Sequence, residues 1–117
     1  MGFWEKTLKE NYAGLTDKER ASLEELDRKF LLAYAGAQSR LMTGNPGYLK
    51  SIIDPERDSL MGMLDGMEFV LDSQRFMTST NYQNMMETLI NIWDGIVTEF
   101  INQTIERLEK LERVYGA

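Results

Sequence analysis

A chain of 117 residues, 43% hydrophobic and 27% charged, is long enough to bury one core and too apolar for a disordered tail. It has no Cys and no His, which excludes disulfides, thiol nucleophiles, thiolate zinc cages and imidazole acid–base chemistry. The net charge of −6 is uneven: residues 1–53 hold eight Lys/Arg against seven Asp/Glu, whereas residues 54–117 hold five against twelve.

An acidic second half repels phosphate backbones, and no apolar run reaches the roughly 18 residues of a membrane span. Neither a nucleic acid nor a membrane is therefore an expected partner. The start Met1-Gly2-Phe3-Trp4-Glu5-Lys6 lacks the basic-then-apolar order of a secretory leader, and Lys6 stands where a myristoylation signal needs Ser or Thr. The expected compartment is the cytoplasm.

Trp4, Leu8 and Tyr12, four apart, predict a short first helix over residues 3–12. Thr16-Asp17-Lys18-Glu19 reads as a capping box, the Thr16 hydroxyl and the Glu19 carboxylate each satisfying the other's backbone. A second helix should follow over residues 17–43, its apolar stripe running through Leu23, Leu26, Phe30, Ala33/Tyr34, Ala37 and Leu41 at steps of three and four. Gly44-Asn45-Pro46-Gly47 is the strongest turn signal in the chain. Asp54 as cap and Pro55 in the first turn predict the start of a third helix, carried by Leu60, Leu64, Met67 and Leu71 to about Met77. Thr78-Ser79-Thr80-Asn81 breaks it, and Thr80 with Gln83 suggests a second capping box opening a long final helix to about Val114.

The expected fold is one all-α domain over residues 1–117, an antiparallel helical hairpin bundle of three long helices plus a short N-terminal helix. Gly62 and Gly66 lie four apart in the third helix, and Ala33, Gly36 and Ala37 form a small patch in the second. Folding the two helices back about the turn sets Ala37 against Gly62 and Ala33 against Gly66, so close packing of small residues is expected there. Phe30 would then meet Phe69, and Leu23 would meet Phe76. Folding the final helix onto a third helix that begins at Pro55 leaves its last turns without a partner. The stripe Ile101, Ile105, Leu108, Leu111 and Val114 then needs a cover. Either residues 48–53 fold over it, or a second copy does. A homodimer with an interhelical seam is the expected partnership, with another protein as the other option.

Chemistry-bearing patterns are few. Asp65, Glu68 and Asp72 share one helical face, an arrangement that suits Mg²⁺ or Mn²⁺ in an all-carboxylate site. A solvated acidic face is the plainer reading. Asp94 stands between Ile90 and Val97, either as a buried carboxylate with a raised pKa or as an interface-edge charge paired with a base. Met61, Met63, Met67, Met77, Met85 and Met86 serve as adaptable core filler or as a binding surface. With no phosphate loop or nucleophile elbow, the expectation is a non-enzymatic interaction or assembly protein without cofactor. A divalent-metal hydrolase or ligand-binding bundle using Asp65, Glu68, Asp72 and Asp94 is the alternative.

Overall fold

Residues 14–42 and 45–114 are described by a computed structural model, which folds them into three helices: α1 Asp17–Leu41, α2 Pro46–Ser73 and α3 Thr80–Val114. No strand occurs among the described residues, so the chain is all-α. The expected helix over residues 3–12 lies outside them. No described helix is long and apolar enough to cross a membrane.

The capping box of α1 forms as the sequence suggests. The Thr16 hydroxyl accepts from Glu19 N at 3.1 Å, and Thr16 N donates to Glu19 Oε1 at 3.1 Å. The second oxygen of Glu19 accepts from the backbone and hydroxyl of Ser79 at 3.2 and 2.9 Å. Ser79, rather than Thr80, caps α3, its Oγ accepting from Tyr82 N at 3.1 Å. Gln83 does not close a box with Thr80; its amide donates to the Arg75 and Thr78 carbonyls at 2.8 and 3.2 Å. One carboxylate thus serves two helix N-termini, each with orphan N–H groups and a positive dipole end. The Thr16 backbone donor first, and Ser79 after it, hold the Glu19 carboxyl below its ordinary value.

Contacts between helices fix their senses. Along α1 and α3 the partners rise together: Ser22 with Tyr82 at 3.1 Å, Asp27 with Trp93 at 2.8 Å, and the Leu41 carbonyl with the Arg107 guanidinium. Along α2 and α3 they run opposite: Lys50 pairs with Glu112 at 3.7 Å and Arg75 with Glu87 at 2.9 Å. Arg40 of α1 forms a two-pronged pair with Glu56 of α2.

The start of α2 departs from expectation. The helix begins at Pro46, with the Asn45 side chain accepting from Tyr48 N at 3.1 Å, and it continues through Pro55. Asp54 is not a cap; it pairs with Arg57 at 2.8 Å. A proline inside a helix costs about 3 kcal/mol, through a lost hydrogen bond and a clash with the carbonyl one turn back. Leu49 and Ile53 are 0% and 5% exposed, and burying each contributes about 1.5–3 kcal/mol. Together those burials match or exceed the proline penalty, so the helix extends over residues that local rules assign to a connection.

The core is a seam of threes and fours: Leu23, Asp27, Phe30, Ala37 and Leu41 on α1, Leu60, Leu64, Met67 and Leu71 on α2, and Met86, Leu89, Trp93, Val97, Ile101 and Leu108 on α3. Asp27 occupies a seam position where Leu26, half-buried, is the expected residue. Its Oδ1 accepts from Trp93 Nε1. Around them Phe30 and Tyr34 lie 4.7 and 5.4 Å from Trp93, and Phe100 lies 5.5 Å from Tyr34, so the aromatic rings pack on one another. Burial raises the Asp27 carboxyl above its ordinary value, the Trp93 hydrogen bond opposing it.

A raised carboxyl binds its proton more tightly folded than unfolded. Its contribution to stability is full below the unfolded value and is lost as pH rises through the folded one. Asp27→Asn keeps an acceptor for Trp93 and removes the titration. Denaturant melts at about pH 4 and about pH 7 should show a smaller loss of stability between the two in the variant. An unchanged difference would contradict the assignment.

Candidate interaction surface

The expected interface at the end of α3 does not stand free. Because α2 starts at Pro46, its first turns lie beside the last turns of α3, as the Lys50–Glu112 pair shows. Ile101 and Leu108 are 2% and 8% exposed, Ile105 and Leu111 are half-buried against the core, and only Val114 is open. With α2 beginning at Pro46, nine residues before Pro55, the expected overhang of α3 does not arise. Residues of the chain's own second helix supply the cover.

The carboxylates do not assemble. Asp65, Glu68 and Asp72 are exposed, and Asp72 is engaged by Arg75 at 2.8 Å. Asp94 is exposed too, although Ile90 and Val97 on either side are buried. Among the described residues no group of three acidic side chains is arranged to hold a metal ion. Of the methionines, Met67, Met85 and Met86 fill core, while Met77 faces outward.

The helix-interior glycines of α2 do not face α1. Among the described residues, a Cβ built at Gly62 or Gly66 meets nothing within 4 Å, so neither packs against Ala33 or Ala37. Phe69 is 72% exposed and Phe76 fully exposed; neither meets its expected partner in α1. The helical phase explains why. At about 100° per residue, Leu60, Leu64, Met67 and Leu71 point to the core, and Gly62, Gly66, Phe69 and Ser73 share a sector of about 60° on the opposite side. Val70 flanks that sector on one edge, half-exposed, and in the turn after α2 Phe76 and Met77 are exposed.

The other edge is acidic. Asp65 and Asp72 border the glycine–phenylalanine sector, with Glu68 just behind them. From Asp58 to Gln74 the chain carries four acids and no base. Asp65 and Glu68 make no ion pair among the described residues. This face combines open small residues, a protruding aromatic and a one-sided charge on a helix held from behind by its leucines. The signal for it lies in the sequence: Gly62 and Phe69 are seven apart, off the phase of Leu60, Leu64 and Leu71. The chain matches no protein-family model, and no curated protein or solved structure is similar enough to it to stand as a relative.

Proposed function

We propose that this chain is a non-enzymatic protein-interaction module. In this reading an antiparallel helical hairpin bundle, forming a single domain, grips α2 by its leucine face and offers the opposite face to a helix of a partner protein. The supporting observation is the pair Gly62 and Gly66, with no neighbour within 4 Å of their Cβ positions among the described residues, beside an exposed Phe69. Each helix-interior glycine costs about 0.8–1 kcal/mol relative to Ala, and no close contact among the described residues offsets it. A partner backbone approaching closely would use the missing Cβ atoms, with Phe69 as the knob beside the shallow strip. Ile101 and Leu108, expected at a seam between copies, are buried in the chain's own core, which favours the outward face of α2 over the end of α3.

The test separates stability from binding. The double variant Gly62→Ala/Gly66→Ala is expected to gain about 1–2 kcal/mol of stability, read by denaturant melts. It should bind a synthetic leucine–glutamine amphipathic helical peptide more weakly in calorimetry, as should Phe69→Ser. Undiminished peptide binding in both variants would overturn the proposal.

A further inference from the structure

We infer that residues 1–13, which lie outside the described ones, dock on their own chain as a short helix in the groove between α1 and α3, on the side turned away from α2. The starting observation is a second apolar stripe on α3. Met85, Leu89, Ile92 and Ile96 follow one another at steps of four, three and four, within a sector of about 60°. Glu87 and Glu112, which pair with α2, stand on the far side of the helix from Met85 and Ile92. Tyr82 and Trp93, which meet α1, stand between the two. Met85 and Ile92 therefore face neither α1 nor α2 squarely, yet Met85 is 6% exposed and Ile92 and Ile96 are half-buried. A further neighbour accounts for that burial.

Length, exit point and pattern identify the occupant. The Asn81 side chain donates to the Gly14 carbonyl at 3.3 Å, which ties the end of the segment to the first turn of α3, one turn before Met85. Leu15, next in the chain, is 8% exposed and belongs to the core. Upstream, Trp4, Leu8 and Tyr12 recur every four residues, with Glu5, Lys6, Lys9 and Glu10 on other faces. A helix over residues 3–12 is about 15 Å long, and the stripe from Met85 to Ile96 rises about 16 Å. Running antiparallel to α3 from Gly14, such a helix brings Tyr12 level with Met85, Leu8 with Leu89 and Trp4 with Ile92. A ring then lies against a thioether, and apolar side chains against apolar ones. The same register carries the chain's amino group to about the height of Asp27 and Trp93. Burial raises the Asp27 carboxyl, and the Trp93 hydrogen bond and then the positive amino terminus oppose that rise. A tethered segment also outcompetes a second copy, because its effective concentration is set by the linker and not by the solution. The outward face of α2 takes no part, so the two surfaces are tested separately.

The chain has no cysteine, so Lys6→Cys places a single nitroxide label on the segment's polar face without disturbing its apolar one. In NMR spectra at low protein concentration the label should broaden amides 85–96 on α3 far more than amides 62–73 on α2. Adding Trp4→Ser/Leu8→Ser to the labelled chain should abolish that contrast. In the unlabelled chain the same double substitution should make Met85 oxidise severalfold faster with hydrogen peroxide, while Met77, 83% exposed already, keeps its rate. Even broadening along the three helices, or broadening strongest at amides 62–73, would overturn the docking site. Broadening of amides 85–96 only in mixtures, where label and isotope sit on different chains, would replace the segment with a second copy. An unchanged rate at Met85 would show that the segment does not shield the stripe.

Discussion

Trp93→Ala is expected to lower the free energy of unfolding by about 3–5 kcal/mol, a large share of the 5–15 kcal/mol that domains hold. Trp93 is 1% exposed and touches Phe30 and Tyr34, so truncation opens a cavity at the middle of the three-helix seam. It also strips the Asp27 carboxylate of its indole donor, leaving a buried charge less well partnered. Trp93→Phe separates the two effects. It keeps much of the ring packing and loses the N–H, so a smaller cost of about 1–3 kcal/mol is expected. The hydrogen bond is what opposes burial at Asp27, so its removal should raise that carboxyl further and steepen the loss of stability with rising pH. Urea melts of both variants across pH check this. A Trp93→Phe variant with an unaltered pH profile would show that the indole is not what stabilises the ionised carboxyl.

Leu49→Ala is expected to cost about 2–5 kcal/mol, and with a particular local consequence. Pro55 makes the first turns of α2 intrinsically poor helix, and burial of Leu49 and Ile53 offsets that penalty. With Leu49 truncated, hydrogen exchange should accelerate at amides 49–53 far more than at amides 60–71. Exposure should follow at Leu108, which the Lys50–Glu112 register sets beside those turns. Uniform exchange along α2, or a variant as stable as the parent, would mean that the segment before Pro55 is not held by its contact with α3.

Local chemistry made much of this fold readable. Thr16 and Glu19 are three apart and need nothing distant to form their box. Asn45-Pro46 marks the turn because both residues act on their own backbone. Where the reading fails, a non-local contact outweighs a local rule. Asp54-Pro55 has the form of a helix start, yet burial of Leu49 and Ile53 carries α2 through it, and the supposed overhang of α3 disappears with that shift. Asp27 escapes notice because a carboxylate at a core position is unexpected until its donor is known, and Trp93 lies 66 residues away. Gly62 and Gly66 stand out correctly as costly in a helix, but their orientation follows from phase. They lie opposite Leu60, Leu64 and Leu71, and one helix of a small bundle rarely buries both sides.

The most direct measurement is a titration of the isotopically labelled chain with the neutral leucine–glutamine peptide, following the glycine amides by NMR. The account predicts that Gly62 and Gly66 shift together and saturate, while Gly95, exposed on α3 with nothing within 4 Å of its Cβ position, stays still. Shifts at Gly95 with Gly62 and Gly66 unmoved, or no saturable shift at any of the three, would contradict it.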